Sequence, residues 1–395
     1  MYCIASNRVL APLTEQERQR RLAQAPLHSL VEMLEAVPDR RGKHGLRYDL
    51  PFLLTCLIAA LLCQCQGSEA VSQWCAEHQD LLGQVFGPRP FLTPSGSLYR
   101  WLLPQLDAAA LEEVLSAWTT ATLVASPDEA IAFDGKCVRG ARTAEQEAPH
   151  LLSFCTHHSQ ETLLQIAVSE KTNEIPLAKT VLSRLPLAGR VCTADALHTH
   201  PPLMQALHDL HAFSLLTIKG NQPTLFADLQ TYFADPSACF THAETWDRRR
   251  GRCEHRQIRV STEMNSYLAP TWPQIQQVAE LIRTVTRKGE TTQETVYLIT
   301  DLPASLSTPS RLLSLNRGHW GIENRLHYVR DVCFGEDRSR ISTGNAPQVL
   351  AALRNVVITL IHRTGSSQIT ASRRHFNAHP DLAFDLLFSH RWSLQ

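Results

Sequence analysis

Apolar positions recur at helical spacing through the first third of the chain, after a polar lead-in over residues 1–26. The first stripe starts at Leu27 with the i, i+3, i+4, i+7 pattern of an amphipathic helix and stops at Pro38. The segment Leu50–Cys63 is almost wholly apolar, which indicates a buried helix. Further helical patterns lie at Val71–Leu82, Leu98–Leu106 and Leu111–Leu123. Together these patterns predict a small all-α domain over residues 27–123.

Short, partly β-branched segments replace the helical pattern after residue 127. Three consecutive strands are predicted, at Ala130–Arg139, Leu151–His158 and Thr162–Ser169. Helices and strands then alternate. The alternating segments are Ile175–Leu185, Gly189–Asp195, Pro201–Leu210, Phe213–Lys219 and Thr224–Phe233. This order indicates an α/β fold with a ribonuclease-H-like mixed sheet rather than a doubly wound one.

A β-rich insertion is predicted between about residues 240 and 303, with strands at Glu254–Ser261, Val278–Thr286 and Thr295–Thr300. A long helical pattern follows over Thr308–Val332, with the Thr308 side chain as its cap. Ala346–His362 is a further apolar helix. The ribonuclease-H-like domain is therefore predicted to span residues 124–364, and residues 365–395 to form a C-terminal tail.

Charge and composition exclude several classes of protein. The 38 Lys and Arg residues balance 38 Asp and Glu residues, which excludes a globally basic nucleic-acid binder but not a local basic surface. No apolar run approaches the ~20 residues of a membrane span, so no membrane partner is expected. Eleven cysteines without an export signal favour the reduced cytoplasm. Cys56, Cys63, Cys65 and Cys75 with His78 lack paired zinc-site spacing, so core packing is the favoured interpretation over zinc.

Two acidic residues occupy unusual places in the predicted sheet. Asp134 interrupts an apolar strand and is followed by Gly135, which would let a ligand approach the backbone. Asp195 stands at the carboxyl end of its strand, where ligand crevices open in such sheets. Taken singly, each aspartate is more simply interpreted as the cap of the next turn.

A third acid, Glu323, lies at the edge of the apolar stripe of the long C-terminal helix. His319, His327 and Arg330 share its face, at positions −4, +4 and +7. A solvated glutamate with a helical neighbour is the ordinary alternative. An acid that flanks a buried face among histidines and an arginine is less ordinary, and it makes Glu323 a candidate functional residue.

The order and spacing of short motifs resemble one family. The motifs are Asp134-Gly135-Lys136, Thr193-Ala194-Asp195-Ala196-Leu197, Lys219-Gly220-Asn221-Gln222 and His319-Trp320-Gly321-Ile322-Glu323-Asn324. They resemble the DDE transposases of bacterial insertion sequences, and in particular the H-repeat-associated group of ISAs type. The segment from Pro38 to Tyr48 also resembles the helical domain that precedes the catalytic core there. The match runs from about residue 27 to 362.

The resemblance implies that Asp134, Asp195 and Glu323 are the catalytic triad and ligands of two Mg²⁺ ions, for which Mn²⁺ is expected to substitute. Hard oxygen ligands suit Mg²⁺, and two ions about 4 Å apart can clamp the attacking and leaving oxygens of a phosphodiester. The implied activity is DNA cleavage at insertion-sequence ends and strand transfer into target DNA. The implied partner is double-stranded DNA bound by a homodimer, in the bacterial cytoplasm and associated with the nucleoid.

Basic residues near the motifs and in the insertion are the candidate DNA contacts, because phosphate contacts dominate the affinity of such proteins. The predicted DNA-binding residues are Lys136, Arg139, Lys219, Asn221, Arg248, Arg249, Arg250, Arg252, His319 and Arg330. Relatives often carry Arg and Lys where His319 and Arg330 stand. Arg330 would keep a cation for a phosphate, and His319 would supply a weaker, pH-dependent one.

Alternatives to these assignments remain open at this point. The arginine run could be a solvated β-edge protected by charge. Trp246 beside it could stack on an unpaired base, although core packing is the favoured interpretation. For the whole chain, the alternatives are a domesticated or inactive relative that binds DNA without cutting it, and a host nuclease on the same scaffold.

Overall fold

The computed structural model describes residues 13–42, 46–87, 89, 92–144, 147–168, 181–249 and 251–389. Its amino-terminal part is helical, in the region where the sequence predicts helices. The helices are α1 (Glu15–Ala23), α2 (Leu30–Leu34), α3 (Leu50–Leu62), α4 (Ser68–Glu77), α5 (Gln79–Phe86), α6 (Gly96–Leu102) and α7 (Ala108–Ala121). Helix α3 is almost completely buried, as its apolar sequence predicts. None of the helices in the described ranges combines the length and apolar character needed to cross a bilayer.

Helix α2 shows how a cap overrides an apolar stripe. The sequence places the start of this helix at Leu27, but the helix begins at Leu30 and Leu27 is 71% exposed. The Ser29 hydroxyl accepts a hydrogen bond from the Glu32 backbone N–H, and the Glu32 carboxylate accepts one from the Ser29 N–H. Because this capping box satisfies two backbone donors at once, it fixes the helix start at Leu30.

A nine-stranded sheet forms the centre of the molecule, in the order β3-β2-β1-β4-β5-β9-β8-β7-β6. The strands are β1 (Ile131–Cys137), β2 (His150–Thr156), β3 (Thr162–Val168), β4 (Val191–Ala194), β5 (Phe213–Ile218), β6 (Thr241–Arg249), β7 (Arg252–Ser261), β8 (Gln277–Arg287) and β9 (Glu290–Thr300). Strands β1, β4 and β5 are parallel, and the other pairings are antiparallel. The five-strand arrangement β3-β2-β1-β4-β5 confirms the predicted ribonuclease-H-like mixed sheet.

The predicted β-rich insertion extends this sheet, because β9 pairs with β5 and β8, β7 and β6 follow outward. Strand β6 has no counterpart among the predicted strands. Its side chains are exposed or half-buried on both faces, so it lacks the apolar alternation that identifies a strand from sequence. The short helix α10 (Asn265–Leu268) lies between β7 and β8.

Helices cover both faces of the inner sheet. Helices α8 (Pro201–Asp209) and α9 (Pro223–Ala234) contribute to the apolar cluster on one face. The predicted helix Ile175–Leu185 lies mostly outside the described residues.

The second face is covered by the helical region and the carboxyl-terminal helices. The latter are α11 (Pro309–Ile322), a π-helical turn (Glu323–His327), α12 (Tyr328–Cys333), α13 (Ala346–Arg363), α14 (Ile369–Ala378) and α15 (Pro380–Phe388). As predicted, the Thr308 hydroxyl accepts a hydrogen bond from the Arg311 N–H and caps α11. Residues of α2–α7 and α12–α15 share one hydrophobic cluster, so the helical region and the end of the chain have a common core.

Candidate active site

The sheet register makes Asp134 and Asp195 neighbours. Strands β1 and β4 run parallel, and Phe133 is paired with Ala194. Asp134 and Asp195 each come one residue later, so they lie side by side on two adjacent strands about 4.8 Å apart. A separation in sequence is thus converted into side-by-side placement by strand pairing alone.

The backbone around Asp134 is closely packed. The Asp134 Oδ1 atom accepts a hydrogen bond from the Gly135 N–H at 2.8 Å, which leaves Oδ2 free to face the helix opposite. A Cβ atom on Gly135 would lie 2.3 Å from Nε2 of His150 on β2. The ligand approach at Gly135 that the sequence suggests would require the His150 imidazole to move from this side of the backbone.

Asp195 is held from the opposite side by the predicted Lys219-Gly220-Asn221 motif. The Lys219 Nζ atom lies 3.1 Å from Asp195 Oδ1, and both side chains are about half exposed. The Asn221 side-chain amide donates to the backbone carbonyl of Ala196 and fixes the turn after Asp195. Partial burial raises the pKa of Asp195, but the hydrogen bond from the Ala196 N–H and the charge of Lys219 together lower it by more. The net shift of the pKa is therefore downward, and the carboxylate is ionised at neutral pH.

Glu323 opens the π-helical turn between α11 and α12. The Tyr328 N–H donates to the Glu323 carbonyl, five residues back, which inserts one extra residue into the helix. Such turns are rare and frequent at functional sites. The turn places Glu323 and His327 together opposite Asp134. The distances from His327 Nδ1 are 3.2 Å to Glu323 Oε2 and 3.5 Å to Asp134 Oδ2.

The ligand atoms of Asp134, Glu323 and His327 all lie within 4.8 Å of one another. Asp195 lies outside this group and is engaged by Lys219 instead. The hydrogen bond from His327 is the main cause that lowers the pKa of Glu323, so its carboxylate carries a charge at neutral pH. Carboxylate oxygens are common ligands of Mg²⁺ and Mn²⁺ in proteins, so these residues fit a divalent metal site.

His327 is a helical neighbour of Glu323 in the sequence, which alone predicts no role for it. The sequence signal was its position four residues after a candidate acid, beside the core residue Leu326. The structure gives His327 the lowest exposure of the group, 2%.

His319 lies one turn before Glu323 and contacts the strand that leads to Asp195. Its Nδ1 atom is 3.0 Å from the Thr193 hydroxyl oxygen, which is itself 2.9 Å from Nε2 of His157. Burial lowers the pKa of His319, which favours the uncharged ring at neutral pH, so a cationic contact with DNA would need a lower pH. Contact with DNA as a neutral hydrogen-bonding group stays a prediction.

Arg330 is buried in an ion pair and is not exposed to DNA in this conformation. Its side chain is fully buried and bound to Glu336, with a shortest separation of 2.7 Å. Glu336 also pairs with Arg354, and Arg330 donates to the Gln165 side chain on β3. The prediction is wrong because this arginine joins α12 to the sheet and α13, away from solvent.

Two basic residues stand beside Glu323. The Lys136 side chain is only 9% exposed and its Nζ lies 2.7 Å from Asp331 Oδ2, so a DNA contact would require this ion pair to open. Arg139 is exposed. Both charges lower the pKa of Glu323, after the larger effect of the His327 hydrogen bond. Their DNA contacts stay predictions.

The described arginines of the insertion run differ in their ion pairing and exposure. Arg252 lies 2.7 Å from Glu254, whereas Arg248 and Arg249 are exposed. Arg250 lies outside the described residues. Trp246 is 59% exposed, and its ring stacks on the His255 ring with the two ring centroids 3.8 Å apart. The favoured core-packing interpretation of Trp246 is therefore wrong.

Comparison with known proteins gives a consistent family assignment. Residues 125–360 match the family model described as "Transposase DDE domain", and residues 31–119 match the model described as "DDE_Tnp_1-associated". The chain is 24% identical over 344 residues to "Putative transposase YncI" of Escherichia coli O157:H7, with 85% of this chain and 87% of that protein covered. It is 25% identical over 347 residues to "H repeat-associated putative transposase YhhI" of Escherichia coli strain K12, covering 85% and 90%.

Proposed function

The chain belongs to the transposase DDE-domain family, with H-repeat-associated relatives, and from this premise we propose that it cuts DNA at insertion-sequence ends and joins the freed strand to target DNA. The observation that supports this proposal best is that Asp134 lies close to Glu323, while Asp195 lies beside Asp134 on the neighbouring strand. Members of this family bind DNA and use divalent metal ions. The specific reaction, the ion and the residues below are our proposal.

The three carboxylates are the proposed metal ligands. Asp134 lies beside Asp195 on the neighbouring strand and opposite Glu323, so it would be the candidate for contact with both ions, while Asp195 and Glu323 would each hold one. Bound divalent ions supply Lewis-acid stabilisation of a phosphodiester and lower the pKa of bound water. Mg²⁺ is the proposed ion, with Mn²⁺ as a substitute.

The remaining residues of the site bind and orient the DNA strand. Lys219 is half exposed and lies 3.1 Å from Asp195, so its ammonium can contact a scissile phosphate that reaches this edge. Arg139 offers a second exposed cation close to Glu323. Water would attack a phosphorus atom at the element end and break its bond to the 3′ oxygen, which leaves a 3′-hydroxyl and a 5′-phosphate. The 3′-hydroxyl would then attack a phosphorus atom of the target strand, whose own 3′ oxygen would leave.

The outer part of the sheet is the proposed track for DNA beyond the cleavage point. Arg248 and Arg249 sit at the exposed end of β6, and exposed arginines contact phosphates without sequence preference. Because two element ends must be joined, we propose that the protein acts as a homodimer on DNA, at the bacterial nucleoid.

The test is a nicking assay on the native flanking DNA of the element. Asp134→Asn, Asp195→Asn and Glu323→Gln should each reduce Mg²⁺-dependent nicking by roughly 10³-fold, because each removes a charged ligand but little volume. DNA binding, measured by a mobility shift, should persist. Asp228→Asn on α9 is the matched control, since the Asp228 carboxylate accepts a hydrogen bond from the Tyr267 hydroxyl and lies outside the candidate site. Undiminished cleavage by Asp134→Asn would contradict the proposal. Binding without any cleavage by the unaltered protein would favour an inactive relative.

A further inference from the structure

Within the described part of the chain, the polar contacts of the His327 imidazole are with two candidate metal ligands. The ring is buried, and its Nδ1 atom lies 3.2 Å from Glu323 Oε2 and 3.5 Å from Asp134 Oδ2. The other nitrogen, Nε2, has no hydrogen-bond partner among the described residues. The ring is thus held by packing, with one nitrogen pointing between two carboxylates.

We propose that His327 is itself a metal ligand, so that Asp134, Glu323 and His327 form a site for a divalent transition-metal ion. This inference rests on the proposed function only in taking the two acids as ligands. One nitrogen and two carboxylate groups are a mixed donor set, whereas Mg²⁺ prefers oxygen alone. The site should therefore bind Mn²⁺ more tightly than Mg²⁺.

The geometry of the three residues supports coordination. Their ligand atoms already lie within 4.8 Å of one another, so one ion can reach all three with little side-chain movement. Asp134 is fixed by the Gly135 N–H, and Glu323 and His327 are fixed relative to each other by the π-helical turn. Coordination through Nδ1 needs the ring's single proton on Nε2, which a neutral imidazole allows.

The competing role for His327 is that of a hydrogen-bond donor that only orients the two carboxylates. In that case Nδ1 keeps its proton and no metal–nitrogen bond forms. The two roles differ in an observable that does not depend on catalysis: the magnetic coupling between a bound Mn²⁺ ion and a histidine nitrogen.

The experiment uses tag-free, full-length protein with Mn²⁺ and no DNA, studied by electron spin echo envelope modulation. The expected result is a nitrogen-14 coupling that changes when histidine is labelled with nitrogen-15. Because this comparison uses the unaltered chain, it does not depend on the folding of a variant. Competition with Mg²⁺ should show at least a roughly tenfold preference for Mn²⁺.

Two variants assign the nitrogen. His327→Gln, checked for folding by circular dichroism, should lose the coupling and bind Mn²⁺ roughly tenfold more weakly. His319→Gln should retain the coupling, since the His319 Nδ1 atom is already bound to Thr193. Absence of Mn²⁺ binding, absence of nitrogen coupling, or coupling that persists in folded His327→Gln would each overturn the inference. If Mg²⁺-dependent nicking persists alongside such a result, the proposed function stands and only the ligand assignment fails.

Discussion

The inner and outer halves of the nine-stranded sheet share one hydrogen-bonded ladder but use their side chains differently. In the inner half, β1 and β4 are packed between helices, and this packing holds Asp134 and Asp195 side by side. In the outer half, β6 has no buried residue. Ladder pairing fixes the backbone in both halves, but only the half that is buried on both faces can hold functional side chains to a fixed geometry.

Charged residues show the same contrast. The helices against the inner half bury a charge network, in which Arg330 and Arg354 both contact Glu336 and Arg330 donates to Gln165 on β3. The outer half buries Glu254 and Glu280 but also carries ion pairs that reach solvent, such as Arg283 with Glu294. Buried charges cost much free energy when a partner is removed, whereas exposed pairs contribute little to stability. Mutations of the buried charge network should therefore affect folding, and mutations of the exposed arginines in the outer half should affect DNA binding.

The largest expected effect on stability comes from the buried network. Arg330→Met should lower the free energy of unfolding by about 3–5 kcal/mol, because it leaves part of the Glu336 charge without its partner. Arg248→Met in the outer half should change it by less than about 0.5 kcal/mol. Urea unfolding of both variants measures the difference. Equal and small changes would show that the inner half is not organised by this network.

A smaller effect should appear as a pH dependence of stability in the inner half. Burial raises the pKa of Glu112 on α7 to about 7, although hydrogen bonds from Gln165 and Gln348 oppose the shift. Between pH 4.5 and 7 the folded state thus binds a proton that the unfolded state releases. The contribution of Glu112 to the free energy of unfolding is complete below pH 4.5 and falls by roughly 3 kcal/mol as the pH rises to 7.

Glu112→Gln should abolish this part of the pH dependence, since an amide does not titrate. Urea unfolding at several pH values between 4.5 and 7 measures the slope. An unchanged slope in the variant would assign the dependence to another group.

The smallest expected effect on the fold, and the clearest on binding, comes from the exposed arginines. Replacing Arg248 and Arg249 with Ala should weaken DNA binding roughly tenfold and reduce the salt slope of log affinity by about 2, because two phosphate contacts are lost. The matched control is Arg374→Ala, an exposed arginine on α14. An unchanged salt slope would remove the outer half from the DNA path.

The sequence predicts the inner half better than the outer half. Strands β1, β2 and β3 have apolar residues bounded by turn signals, and their predicted ranges agree with the structure to within a few residues. The polar strand β6 gives no such periodicity. Its existence depends on pairing with β7, which is a tertiary contact that the sequence of β6 alone does not encode.

Individual site residues follow the same rule. Asp134 and Asp195 could be placed from local pattern, because an acid inside an apolar strand and an acid just after a strand end are both visible in the sequence. The burial of Arg330 could not be predicted, since an arginine near an acid has the same local pattern whether it contacts a phosphate or Glu336. The π-helical turn at Glu323 was also not predicted, because a single extra residue leaves the apolar stripe of the long helix recognisable.

The central claim is that Asp134, Asp195 and Glu323 converge on divalent ions when DNA is bound. Anomalous scattering from Mn²⁺ in crystals of the protein bound to its element-end DNA measures this most directly. The account predicts Mn²⁺ peaks within coordination distance of Asp134, with Asp195 and Glu323 each contacting one. Peaks bound elsewhere, or an Asp195 carboxylate still paired with Lys219 and remote from any Mn²⁺, would contradict it.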